Sequence, residues 1–225
     1  MTIGIIVAMQ SEFDLVLKTL AGAEIKKIRH LTFATGKINN QDVVLLQSGI
    51  GKVSAALATV ELINLFAPKM IINTGLAGGL DPSLSVMDIV VGKDIVYHDV
   101  WCGEENEYGQ VQGLPAIFHS DEKLVAKALA IRSDTKIVGG LIASGDRFLS
   151  KLADLKEVKS HFENALAVDM ESAAIAQVCY LYGIEFLSMR IISDTPGIEN
   201  HYDQYYDFWK KAPEKTLEVI EALLR

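Results

Sequence analysis

The sequence predicts an α/β fold, a three-layer α/β/α sandwich around a central mixed sheet, with residues 1–225 forming one domain. Three observations carry this prediction. Short apolar runs alternate along the chain with segments of helical periodicity, the pattern of a sheet covered by helices on both faces. Half of the 225 residues are apolar and 22% are charged, which supplies a sizeable core and excludes a disordered chain. No repeat, low-complexity tract or Pro/Gly-rich linker divides the chain.

Residues 3–8 (IGIIVA) read as a buried strand, and residues 12–20 as a helix that ends near Gly22. Residues 31–35 and 43–47 flank Lys37-Ile38-Asn39-Asn40, a hairpin signal. Residues 51–66 have helical periodicity, with Val53, Ala56, Leu57 and Val60 on one face. Residues 70–73 form a strand that runs into the glycine-rich TGLAGGLDPSL. Residues 86–96 are β-rich, 121–131 helical, 137–143 a strand and 151–160 helical. The apolar run 165–168 gives way at Asp169-Met170-Glu171 to an alanine-rich helix. A further apolar run then carries Arg190 and Asp194 to the carboxyl end of a buried strand. Residues 203–224 close the chain as a helix interrupted or kinked at Pro213.

The formal net charge of −8 argues against a nucleic-acid or anionic-membrane partner, because the densest basic cluster is only Lys26, Lys27 and Arg29. Cys102 and Cys179 stand far apart without companion histidines, so neither a disulfide scaffold nor a zinc site is expected. His98-Asp99 has the look of a metal pair but lacks a third ligand, and the expectation is no metal and no cofactor. The N-terminus lacks the basic region of a signal peptide, and no eighteen apolar residues run uninterrupted. These features point to a soluble cytoplasmic protein.

The chemistry resides in carboxylates. Glu12, Glu171 and Asp194 each follow an apolar run, and open α/β sheets bind their ligands at the carboxyl ends of strands. Taken singly, each has an ordinary explanation: Glu12 as a first-turn helix acid, Asp194 as a turn residue before Thr195-Pro196-Gly197, and Asp169 as a helix cap. Phe148 and Met170 read equally well as packing. Glu171, near a helix N-terminus, is expected to be stabilised as an anion. Three glycine-rich stretches also read singly as tight turns: residues 48–52 (SGIGK), 74–79 (TGLAGG) and 144–148 (SGDRF). The first lacks phosphate-loop spacing and the second does not fit a dinucleotide fingerprint.

In combination these stretches are specific. GIIVAMxxE, SGIGKV, NTGxAGGL, YHD, EYGQ, SGDxF, VDMES and RxISD follow one another from Ile3 to Asp194. The set resembles the 5′-methylthioadenosine/S-adenosylhomocysteine nucleosidases of the purine nucleoside phosphorylase-like superfamily. That resemblance implies a homodimeric enzyme that uses water to cleave the N-glycosidic bond of adenosine-type thioethers, through an oxocarbenium-like transition state. It implies Asp194 as the acid at adenine N7, Glu12 as the base that takes a proton from water, and Arg190 holding the water and acids. Glu171 would bind the ribose hydroxyls with Met170 against the sugar. Phe148 would stack on adenine and the backbone at Leu149 would read its edge. Met9, Ile50, Tyr205 and Phe208 would form an apolar 5′ pocket.

Two departures bear on specificity. Leu76 stands where similar sequences carry Ser, and residues 100–106 (VWCGEEN) replace a loop that in the family reaches across the dimer interface. Three rival readings compete. A nucleoside phosphorylase needs arginines to clamp a phosphate dianion, yet only five arginines occur and none lies between Arg29 and Arg132. A futalosine-type nucleosidase shares the scaffold. A non-catalytic nucleoside binder would not need Glu12, Glu171, Arg190 and Asp194 together.

Overall fold

The computed structural model describes residues 2–194 and 213–225. Ten strands alternate with helices among the described residues. In chain order they are β1 (Thr2–Val7), α1 (Gln10–Leu17), β2 (Ala21–Ile28), β3 (Leu31–Ile38), β4 (Gln41–Gln47), α2 (Lys52–Phe66), β5 (Met70–Gly79) and β6 (Ile89–Tyr97). These are followed by β7 (Phe118–His119), α3 (Glu122–Leu129), β8 (Ile137–Ser144), α4 (Leu152–His161), β9 (Ala165–Asp169), α5 (Ser172–Tyr182), β10 (Glu185–Asp194) and α6 (Pro213–Leu223).

The strands form one mixed sheet, in the order β10-β6-β8-β9-β5-β1-β4-β3-β2, with β7 on β6. The sheet also closes on itself, because β10 pairs with β5 as well as with β6. Five strands therefore make a ring, and β1, β4, β3 and β2 extend from it as a wing. Helices cover both sides, as the alternation predicted. α2 and α5 pack into one core cluster through Ala55, Ala58, Leu62, Ala173 and Ile175. α1, α3 and α6 pack into the other through Phe13, Val16, Val125, Ala128, Val219 and Leu223.

Strand direction decides where a site can form. β1, β4, β5 and β10 run parallel to one another, as do β6, β8 and β9. The two sets are antiparallel, and β5 meets β9 only at the carboxyl ends of both, Gly78 opposite Val168 and Gly79 opposite Ala167. Two sets of strand ends, which a single open sheet would keep apart, are thereby brought together.

The hairpin at Asn39-Asn40 has both residues at positive φ, 49° and 66°. This is the two-residue turn whose twist suits its strands and which asparagine tolerates. Three sequence expectations are corrected. Residues 21–28, read as the end of a helix and a basic cluster, form β2, an exposed edge strand whose Lys26 and Lys27 discourage further pairing. The glycine-rich residues 74–79 are not a turn but the second half of β5, paired with β10 from Gly75 to Gly78. The stripe Val53 and Leu57 on α2 faces outward, 70% and 51% exposed, and the helix instead buries Ala55, Ala58, Thr59, Leu62 and Ile63. The expected helix over 203–212 lies outside the described residues, and α6 begins at Pro213 itself.

Candidate active site

The converging strand ends border a cleft of about 710 Å³, counted to its open mouth. Its lining includes Met9, Glu12, Ile50, Leu76, Phe148, Leu149, Met170, Glu171, Arg190 and Asp194, every predicted site residue among those described. Tyr205 and Phe208 lie outside the described residues. Ile50 and Phe148 form the open rim, each more than half exposed, whereas Glu12, Glu171, Arg190 and Asp194 are buried.

Glu12 sits in the first turn of α1, where β1 ends. Its Oε2 accepts from the backbone N–H groups of Ala8 and Met9, both at 2.9 Å, and its Oε1 from that of Leu76 at 3.0 Å. Glu12 thus caps its own helix and ties β1 to β5. An ionised carboxylate has about four acceptor sites, so three backbone donors leave room for one more. Burial raises its pKa, opposed by those donors and by the charge of Arg190. Gly75 is required beside it, because a Cβ there would lie 2.5 Å from Glu12 Oε1 and 3.0 Å from Arg190 Nη1. Leu76 reaches Glu12 through its main chain, so the missing serine side chain leaves this contact intact.

Arg190, opposite Gly75 in the β5–β10 ladder, is 1% exposed. Its Nε lies 2.8 Å from Asp169 Oδ2, its Nη2 3.7 Å from Glu171 Oε2, and it donates to Asn73 Oδ1 and Ser172 Oγ. Ser188 Oγ completes the shell, 2.7 Å from Ser172 Oγ. Asp169 is therefore a cap and more. Its Oδ1 accepts from the N–H groups of Glu171 and Ser172, while Oδ2 holds the guanidinium.

Glu171 contradicts the expectation of a stabilised anion. Its pKa is pushed up to about 7, first by burial and then by the neighbouring Asp169 charge, despite Arg190 and the Gly51 N–H that donates to Oε1 at 3.0 Å. The N-terminal end of α5 does not offset desolvation of a carboxyl group 5% exposed. Asp194 ends β10 just beyond an irregularity in its pairing with β5, and accepts from Ser193 Oγ at 2.6 Å.

Sequence reasoning missed Asn73 and Ser172 as partners of Arg190, Ser188 as the partner of Ser172, and Ser193 and Arg147 as cleft residues. All but Ser188 lie within the recurring motifs, yet nothing in their spacing reveals that a guanidinium lies between them. SGIGK does not cradle an anion: Lys52 Nζ is paired with Asp99 and Gly51 N with Glu171. Among the described residues, no group of three His, Cys, Asp or Glu side chains is arranged to hold a metal. No helix there is long and apolar enough to cross a membrane.

The family model of the Phosphorylase superfamily matches residues 2–225. A 5′-methylthioadenosine/S-adenosylhomocysteine nucleosidase from Staphylococcus aureus is 39% identical over 225 residues, covering 99% of this chain and 98% of its own. The chain belongs to this nucleosidase family. Membership makes it an N-glycosyl hydrolase. The crystal structure of such a nucleosidase from Neisseria meningitidis, in complex with methylthio-immucillin-A, matches with a TM-score of 0.94. It is 34% identical and covers 99% of this chain and 98% of that one. The futalosine hydrolase of Helicobacter pylori matches with a TM-score of 0.91 at 28% identity, over 99% of this chain and 97% of that one.

Proposed function

We propose that this chain hydrolyses the N-glycosidic bond of 5′-methylthioadenosine and S-adenosylhomocysteine, releasing adenine and the thioribose. The observation that carries the reading is the charge of the cleft. Four carboxyl groups, Glu12, Asp169, Glu171 and Asp194, line it against one buried guanidinium, Arg190, already engaged by Asp169 and Asn73. Arg147, the other arginine of the lining, is paired with Glu157 and Asp154. With both arginines engaged, the lining offers a phosphate dianion no free guanidinium among the described residues, and its carboxyl groups favour the positive charge that develops on the ribose as the bond to N9 breaks. A phosphorylase would need the opposite balance.

In this reading Glu12 takes a proton from the attacking water as its oxygen bonds to C1′. Asp194 delivers a proton to N7, and the electrons of the C1′–N9 bond leave with adenine. A raised pKa makes Glu12 the stronger base, and its backbone donors fix it before substrate arrives. Glu171, with a pKa of about 7, accepts from a ribose hydroxyl, and Met170 packs on the sugar. Phe148 stacks on the base, and Met9 and Ile50 receive the 5′ thioether. The futalosine-type alternative is less supported, since the methylthioadenosine enzymes reach 39% identity and the futalosine hydrolase 28%.

Two copies are proposed to associate. Val53 and Leu57 on α2 and Trp101 are large apolar side chains more than half exposed, which a subunit interface would cover. A monomer by light scattering at micromolar concentration, with full activity, overturns this part.

The test of the reaction is incubation with methylthioadenosine, adenosylhomocysteine, inosine and aminodeoxyfutalosine, with and without phosphate. Adenine and free sugar are expected from the first two in phosphate-free buffer. A sugar 1-phosphate product, or base release from aminodeoxyfutalosine alone, overturns the reading.

A further inference from the structure

The two halves of the cleft rim come from distant parts of the chain. Ile50 stands in the turn between β4 and α2, and Phe148 in the segment between β8 and α4. Three side chains join these segments. The backbone N–H of Lys52 donates to Asp146 Oδ1 at 2.8 Å. The backbone N–H of Asp146 donates to Asp99 Oδ2 at 2.8 Å, and Lys52 Nζ reaches the same oxygen at 2.8 Å. Asp99 lies two residues beyond the end of β6, so the closed circuit also ties a third segment to the rim.

Two glycines are explained by this circuit rather than by substrate. A Cβ on Gly51 would lie 2.8 Å from Asp146 Oδ1, and one on Gly145 would lie 2.6 Å from Asp99 Cγ and 2.8 Å from His98 Cε1. Gly51 also has φ of 91°, which L side chains rarely adopt. The turn is therefore built for close approach on both sides. From Gly51 the connection passes directly into the cleft, since its N–H holds Glu171 Oε1. Asp99 and Lys52 are only 13% and 26% exposed at their side chains, so solvent weakens the pair less than it would a surface bridge. His98, a further ionisable neighbour of Asp99, is held below its ordinary pKa by burial, and Lys52 is the cation paired with Asp99 at neutral pH.

We propose that Lys52, Asp99 and Asp146 form a clasp that positions Ile50, Phe148 and Glu171 for nucleoside binding. None of the three lines the cleft, and none is a group that reacts. They are positioning residues: opening the clasp lets the rim separate and frees the Gly51 turn that orients Glu171. Glu12, Asp194 and Arg190 take their closer hydrogen bonds and ion pair from the residues after β1 and from β5, β9 and β10, and these remain when the clasp opens. The loss therefore falls on substrate affinity more than on the chemical step.

The inference rests on the proposed nucleosidase reading, and wild-type turnover of methylthioadenosine is the control that separates the two: its absence refutes the reaction, whereas the clasp is judged only by comparing variants. Asp146→Ala is expected to raise KM about tenfold, the weight of one charge-assisted hydrogen bond, while kcat falls less than threefold. Asp146→Asn keeps an acceptor oxygen for the Lys52 N–H and is expected within threefold of wild type in both constants. Lys52→Met and Asp99→Asn should each raise KM several-fold, and the double variant no further than the worse of the two. If Asp146→Ala does not fold, Asp146→Asn and the Lys52–Asp99 cycle carry the test. Equal losses in kcat and KM, multiplying factors in the double variant, or an Asp146→Asn as impaired as Asp146→Ala, would overturn the clasp.

Discussion

Glu171→Gln should make the protein more stable above neutral pH, although it removes a charge that sits near a guanidinium. Glu171 has an ordinary pKa of 4.5 that the fold raises to about 7. A carboxyl group whose pKa is raised on folding binds more protons folded than unfolded between these values, so stability falls as pH rises through that window. Applying the two values, ionisation of Glu171 costs about 3 kcal/mol at pH 8 and about 1 kcal/mol at pH 5. Glutamine stands in for the protonated form and keeps an oxygen for the Gly51 N–H, so the variant escapes this cost. For a chain of this length, roughly 2–4 °C in Tm accompanies each kcal/mol, which gives an advantage of about 6–12 °C at pH 8 shrinking to about 2–4 °C at pH 5. The assay is thermal unfolding of both proteins without nucleoside, at one fixed protein concentration, across pH 5 to 8. Glu12, also raised, adds a slope of the same sign to both proteins, and because its charge helps to raise Glu171, the sign and trend of the difference are what the assay reads. A variant that is less stable at pH 8, or whose advantage grows toward pH 5, would refute the desolvation argument and restore Glu171 as a stabilised anion.

Asp194→Asn and Glu12→Gln should each lower kcat by about 10²-fold or more, the usual worth of a positioned acid or base; near-normal turnover in either variant removes the corresponding role. Gly75→Ala should lower kcat about tenfold or more with a smaller change in KM. Its new methyl group would stand 2.5 Å from Glu12 Oε1 and displace the carboxylate from the Leu76 N–H. Steady-state rates with methylthioadenosine check this, and an unaltered kcat would mean that Glu12 need not be held where it is.

The periodicity of residues 3–8, 137–143 and 165–168 marked strands without ambiguity, and the carboxylates after the apolar runs marked their ends. Glu12, Glu171 and Asp194 were legible for that reason. The strand β2 was not: an edge strand with every residue exposed or half-buried carries no apolar pattern to read. Nor was the second half of β5 legible, since the glycine-rich stretch from Thr74 to Gly79 looks like a turn until Glu12 and Arg190 are seen against Gly75. The outward face of α2 was equally hidden, because periodicity finds an apolar stripe without saying what covers it.

The sequence by itself determined the α/β class, the strand-end placement of the acids and, through eight motifs in order, the family. These depend on local periodicity and on residue identity, which a linear chain carries in full. Only the tertiary structure decided that β10 pairs with β5 and that β5 meets β9 at their carboxyl ends, closing the ring. That closure brings Asp169 of β9 within 2.8 Å of Arg190 of β10. It also buries Glu171 deeply enough to override the helix terminus beside it. Desolvation and pairing across a closed sheet depend on which segments meet in space, and no spacing along the chain encodes that distance.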